Sequence, residues 1–173
     1  MSADDLRARI REVPDFPKPG ILFYDITTLL KDAPAYHEAI DLMVAPYRDQ
    51  HVDIVVGMES RGFIFSAPMA YQLGAGLVPV RKLGKLPAET VSVEYALEYG
   101  TNTLEVHRDS IQPGQRVLIV DDLLATGGTV NGTIELVHRL QGDIVGLAFL
   151  VELLFLKGRE KLRGQSIHSV IQY

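Results

Sequence analysis

Residues 117–129 read Val-Leu-Ile-Val-Asp-Asp-Leu-Leu-Ala-Thr-Gly-Gly-Thr. Four apolar, mostly β-branched residues predict a buried strand of a parallel sheet. Asp121 and Asp122 stand where that strand is expected to end, and Ala125, Thr126, Gly127, Gly128 and Thr129 make a small, hydroxyl-bearing turn. Beyond it, Val130, Ile134, Val137 and Leu140 share one helical face. Strand, acid pair, glycine turn and helix form a phosphate cradle: N–H groups at a helix start lack intrahelical partners, and the helix dipole favours an anion there. The hydroxyl of Thr126 or Thr129 adds a donor. An ionised Asp only accepts hydrogen bonds, so the acids suit a ligand with hydroxyls beside its phosphate. A ribose 5-phosphate has this form; a divalent metal is the other use for such a pair. Neither G-x-x-x-x-G-K-[ST] nor a post-strand G-x-G-x-x-G occurs.

Two further runs carry charge at comparable places. Glu59-Ser60-Arg61-Gly62-Phe63 follows the apolar run 54–58, a second strand-to-helix junction where a helix start and a guanidinium fork can meet an anion. Arg81-Lys82-Leu83-Gly84-Lys85 puts three cations just past another strand. A second anion subsite beside the first implies a substrate phosphorylated at two positions. The connection over about residues 82–106 is long and weakly periodic, which predicts a lid. It holds Glu89, Glu94, Glu98 and Glu105. The five histidines show no metal-ligand spacing.

These residues need a frame. Residues 2–12 are helix-like and charged, 14–20 form a Pro-rich turn, 21–30 begin strand-like, and 34–48 read as an amphipathic helix. Strands are expected at 53–58, 77–80, 116–120, 144–154 and 167–171, with helices over about 60–73 and up to 140. Alternating strands and helices mean an α/β fold with a parallel sheet and right-handed crossovers. Ligands bind beyond the carboxyl ends of such strands.

At 173 residues, 47% of them apolar, the chain is expected to fold as one domain, 1–173. It has no cysteine, its first residues are polar and acidic, and no apolar stretch reaches membrane-spanning length. A cytoplasmic protein without a membrane partner is the expectation. A net charge of −5 argues against a nucleic-acid partner and leaves any anionic substrate to local cations.

The 117–129 run resembles the phosphoribosyl pyrophosphate (PRPP) motif of the type I phosphoribosyltransferases. The likeness extends to Phe16–Thr27, Glu59–Phe63, Val80–Lys82 with Gly84–Pro87, Val93–Gly100, Val151–Leu153 and Leu156–Arg159, and is greatest to the members that use adenine. The resemblance implies a central, mainly parallel sheet flanked by helices, an N-terminal hood at about 1–33 and a mobile lid at about 82–106. It implies a Mg²⁺-dependent homodimer that makes AMP and pyrophosphate from adenine and PRPP. Residue by residue, Asp121 and Asp122 match the acids on the ribose hydroxyls, and Ala125 to Thr129 match the 5′-phosphate loop. Arg61, Arg81 and Lys85 match the pyrophosphate contacts, with Arg81 reaching across the dimer. Glu59 and Ser60 match a peptide, often cis in this family, at the pyrophosphate and Mg²⁺. Leu22, Phe23 and the backbone of Tyr24, with Leu123 and Leu153, match the adenine pocket; many relatives carry Arg in place of Tyr24. Glu98 and Tyr99 match the lid, with Glu98 assigned the purine proton. The metal is expected to be held by PRPP and water rather than by side chains. Two other readings stay open: a transferase for another nucleobase, and a PRPP-sensing regulator on the same fold.

Overall fold

The computed structural model describes residues 1–97 and 99–173. A short helix α1 (Ala3–Arg7) precedes a two-stranded antiparallel sheet of β1 (Arg11–Pro14) and β2 (Leu22–Asp25), followed by α2 (Thr27–Leu30) and α3 (Ala33–Val44). The expected helix over 2–12 therefore stops at Arg7, where the chain turns to pair Arg11–Pro14 with Leu22–Asp25. Tertiary pairing outweighs local helix propensity there. The remaining elements are β3 (Ile54–Met58), α4 (Gly62–Leu73), β4 (Gly76–Lys82), β5 (Thr90–Ala96), β6 (Thr101–His107), β7 (Arg116–Leu124), α5 (Gly128–Arg139), β8 (Asp143–Glu152) and β9 (Ile167–Gln172).

Their sheet has seven strands in the order β5-β6-β4-β3-β7-β8-β9. The strands β4, β3, β7, β8 and β9 are mutually parallel, and β6 and β5 extend the sheet antiparallel at the β4 edge. Alternation along the central strands splits the core into two layers. Val55, Leu118, Val120, Ala148 and Leu150 face a cluster shared with α3 and α4. Val56, Val117, Ile119, Leu147 and Phe149 face another, which includes Val130, Ile134 and Val137 of α5. A strand covered on both faces reads as a continuous apolar run, which is why 117–120 was legible.

The segment 82–106, read as a long and weakly periodic connection, contains regular structure. Most of it is the β5–β6 hairpin, paired from Thr90↔His107 to Ala96↔Thr101. Glu105, one of the four glutamates of this segment, is only 3% exposed and accepts the N–H groups of Gly84 and Leu86, both at 3.1 Å. It braces the turn at the base of the hairpin.

The sheet order sets the site. From β3 the chain crosses to β4 on one side, and β7 enters on the other, so the crevice outside the ends of β3 and β7 is the switch point. Pairing of β3 to β7 ends at Gly57↔Val120, whereas β7 continues along β8 to Leu124↔Glu152. Asp121 and Asp122 consequently lie within β7 rather than after it, on the stretch whose β3-side edge has opened.

The hood is tied down by charge. Asp25 accepts the N–H and hydroxyl of Thr27 at 2.9 and 2.7 Å, and its other oxygen takes Arg11 at 2.5 Å. The Thr27 hydroxyl, then Arg11, hold the Asp25 carboxyl down at about 2. An unfolded Asp titrates near ~3.9, so this contribution is complete above that range and is lost as pH falls towards 2. Asp25→Asn is expected to reduce stability against urea by about 1 kcal/mol near neutral pH, and by less at about pH 3. Equal losses at both pH values would assign the effect to packing instead.

Candidate active site

Three segments converge at the switch point. Glu59, Ser60 and Arg61 follow β3; Asp121, Asp122 and Leu123 end β7; and Ala125, Thr126, Gly127, Gly128 and Thr129 lead into α5. All line one cavity of about 490 Å³, together with Val130. The Glu59–Ser60 peptide is cis.

The phosphate turn is a matter of backbone geometry. Gly127, at φ 83°, is the N-cap of α5 and has no side chain to cap it. The first helical bond recorded there runs from Asn131 N–H to the Gly127 carbonyl at 2.9 Å. The N–H groups of Gly128 to Val130 precede it and face the cavity end of the helix, where an anion is the natural acceptor.

The acid pair is held by close contacts. The Asp121 carboxylate accepts the Asp122 N–H at 2.8 Å. It lies so near the start of α4 that a Cβ on Gly62 would come within 2.8 Å of Oδ1, so a side chain there would have to displace the carboxylate. Burial, with the Asp122 carboxylate alongside, raises the Asp121 carboxyl well above the usual range. Asp122, its side chain 8% exposed, is met by Arg61 Nε at 2.7 Å. Arg61 thus pairs with Asp122 rather than projecting freely into an anion subsite. Its guanidinium also lies 5.9 Å from the Phe23 ring.

A second, mostly apolar cleft of about 180 Å³ adjoins the first. Leu22, Phe23 and Tyr24 of the hood line it with Leu123 and Leu153, and it shares Arg61, Asp122 and Leu123 with the larger cavity. The Tyr24 ring is stacked on Tyr173, with centroids 3.9 Å apart, and Arg7 covers Tyr173 at 4.3 Å. The Tyr24 side chain is therefore engaged in the seam between hood and core.

Other expected site residues stand outside both linings. Arg81 binds Glu59 Oε1 at 3.1 Å, and the other Glu59 oxygen takes the Lys82 N–H at 2.9 Å. That carboxylate ties the end of β4 to the end of β3 and occupies a cation that the sequence assigned to pyrophosphate. Lys85 is exposed on the turn before β5. Tyr99 is 84% exposed. Glu98 lies outside the described residues. Sequence reasoning missed Tyr95 and Lys161, which with Leu97, Thr126, Gly128 and Thr129 line a cavity of about 500 Å³ on the flank of the phosphate turn. Only the fold brings these distant residues together; Tyr95 lies in the Val93–Gly100 run without having been singled out there, and Lys161 has no motif of its own.

Residues 26–168 match the profile of the Phosphoribosyl transferase domain. The adenine phosphoribosyltransferase of Chloroflexus aurantiacus is 57% identical over 173 residues, covering 100% of both chains. The crystal structure of adenine phosphoribosyltransferase from Thermoanaerobacter pseudethanolicus superposes with a TM-score of 0.96 at 52% identity, over 99% of this chain and 100% of that one. The Saccharomyces cerevisiae adenine phosphoribosyltransferase, solved with an imino-altritol bisphosphate and adenine, gives 0.92 at 38% identity over 97% of each chain.

Gly127→Ala tests the turn. A side chain there faces a left-handed φ and would meet the Gly158 carbonyl at 2.8 Å. The expected cost is about 1–3 kcal/mol in unfolding free energy. Calorimetric affinity for ribose 5-phosphate should fall about tenfold or more.

Proposed function

This chain belongs to the adenine phosphoribosyltransferase family, and from that premise we infer that its two adjoining cavities serve one reaction. The phosphoribosyl group of PRPP passes to N9 of adenine, giving AMP and pyrophosphate, a purine-salvage step. The observation that carries this reading is the shared wall. The apolar cleft suited to a purine and the polar cavity suited to a ribose phosphate have Arg61, Asp122 and Leu123 in common. A base in one and a sugar in the other would meet there.

The roles follow from the chemistry of each side chain. The N–H groups of the 125–129 turn bind the 5′-phosphate. Asp121 and Asp122 accept from the ribose hydroxyls, and Arg61 exchanges its Asp122 partner for the anionic leaving group. Leu22, Phe23, Tyr24, Leu123 and Leu153 enclose the base. Glu59 and Ser60 border pyrophosphate, and Arg81 and Lys85 complete its charge neutralisation as the substrate seats. The tip of the β5–β6 hairpin, with Tyr99, is the cover that excludes water from an oxocarbenium-like centre. Support comes from Tyr95, whose hydroxyl is 3.5 Å from that of Thr129. Glu98 is proposed to handle the purine proton.

The residues present also fit a divalent ion. Asp121 and Asp122 offer carboxylates in the cavity, and among the described residues no three His, Asp or Glu side chains converge into a cage. Mg²⁺ favours such sites, taking few carboxylates beside water and substrate phosphates. When bound with PRPP it would offset charge growing on pyrophosphate, held mainly by PRPP and water, with Asp121 and Asp122 reaching it through that water. A cytoplasmic homodimer completes the proposal. The exposed Tyr71 of α4 and Leu77 of β4 support an interface.

Mixing the protein with PRPP, Mg²⁺ and single nucleobases, with products separated by chromatography, tests the reaction. AMP from adenine is expected; turnover of another base in its place would overturn the pocket assignment. Asp122→Asn should lower kcat/KM for PRPP roughly 10- to 100-fold, because it loses a charged acceptor. Unchanged kinetics would remove it from the ribose site. Glu98→Gln should lower kcat by about 10²–10⁴-fold. A change of only a few-fold would leave the proton to solvent or another group.

A further inference from the structure

The phosphate turn rests on main chain supplied from the far end of the sequence. A Cβ on Gly127 would lie 2.8 Å from the Gly158 carbonyl, and one on Gly158 would come closer still to the Ala125 carbonyl. Two glycines therefore allow the 125–127 backbone to lie directly on residue 158. Lys161, from the same segment, lines the flanking cavity with Thr126, Gly128 and Thr129. Residues 154–162 form only two short 3-10 turns around Lys157, which has a φ of 54°. Turns this short need an external anchor.

Arg159 supplies it. Its Nε and Nη2 bind the two oxygens of Glu152 at 2.5 and 2.8 Å, and Nη2 lies 3.3 Å from the Ser169 hydroxyl. Glu152 is the last residue of β8 and only 2% exposed. It also accepts from Ser169 at 2.5 Å and from Gln172 at 3.5 Å. Burial alone would raise its carboxyl, but the Arg159 fork and the Ser169 hydroxyl bring it below the usual range. Glu152 is in register with Leu124, the residue before the phosphate turn. The chain of contact is short: β8 end, Glu152, Arg159, Gly158, then Ala125 and Gly127. A planar fork on a carboxylate fixes direction as well as distance, which a lysine cannot do.

We propose that Arg159, clamped by Glu152, is a positioning residue for the 5′-phosphate site, setting the height of the 125–129 turn through the Gly158 main chain without touching substrate. This rests on the assignment of that turn to the phosphate of PRPP. A strut needed only for folding would affect both substrates alike. A positioning residue weakens the phosphorylated ligands and spares the base.

The test uses the full chain with Arg159→Met and Arg159→Lys. We expect Arg159→Met to raise KM for PRPP and weaken AMP in calorimetry by about tenfold, while KM for adenine stays within about twofold. Arg159→Lys, which keeps the charge but loses the fork, should fall between. Parallel rises in both KM values, or no rise in either, would overturn the proposal. If Arg159→Met does not fold, the same comparison on Arg159→Lys decides: selective weakening of PRPP and AMP supports it, and an unselective or absent change overturns it. Failure of the unsubstituted protein to make AMP would instead overturn the assigned reaction.

Discussion

Two carboxylates in adjacent positions at the end of a buried strand repel one another and lose solvent. Asp121 and Asp122 are sustained by different means. Asp122 has a guanidinium at 2.7 Å. Asp121 takes a backbone N–H and is pushed towards its neutral form. Much of the site follows from this constraint. Arg61 must come from the end of β3, the strand beside β7, and Gly62 leaves room for α4 to start against Asp121. The cis Glu59–Ser60 peptide lies on the same short path between β3 and α4. The cradle is thus built around acids that need a cation, which Arg61 supplies.

Arg61 is accordingly committed to the acid pair. In this structure it neutralises Asp122 and lies near Phe23 of the hood. A ligand that presents hydroxyls to Asp122 and phosphate to Arg61 replaces one ion pair with two interactions of matched sign. Little charge is left unpaired at either stage. Glu59 and Arg81 repeat the device one strand away, with Glu59 also bound to the Lys82 N–H. In both pairs the cation is more exposed than its acid, so the pairing chiefly relieves the more buried carboxylates of Asp122 and Glu59.

Legibility in the sequence followed the range of the interactions. The 117–129 run was readable because strand, acids, turn and helix are contiguous, and each obeys a local rule. The strand end was misjudged at Val120, because β7 runs on to Leu124 through pairing with β8, a contact invisible in the local pattern. The 82–106 hairpin was missed although Val91, Val93 and Tyr95 alternate with Ser92 and Glu94 along β5, because β6 is fixed by pairing with β4 and its Glu105 is a buried charge that a local pattern reads as exposed. Arg81 and Lys85 were read as free cations, since the sequence could not reveal the Glu59 carboxylate waiting for Arg81. Tyr95, Lys161 and the Glu152–Arg159 clamp arise from separations that only folding closes.

The base cleft shows how far a site can depend on residues outside it. Three of its lining residues, Leu22, Phe23 and Tyr24, come from a two-stranded sheet too small to be stable alone. That sheet is held by Asp25 with Arg11 and Thr27, by the Thr28 hydroxyl on the Arg9 carbonyl at 2.6 Å, and by Tyr24 on Tyr173. Because the Tyr24 ring is spent on this seam, what it offers the cleft is chiefly its main chain and the edge of a packed surface. An arginine at that position would exchange one aromatic contact with Tyr173 for a cationic one. What that position must preserve is therefore the contact that holds the hood against Tyr173.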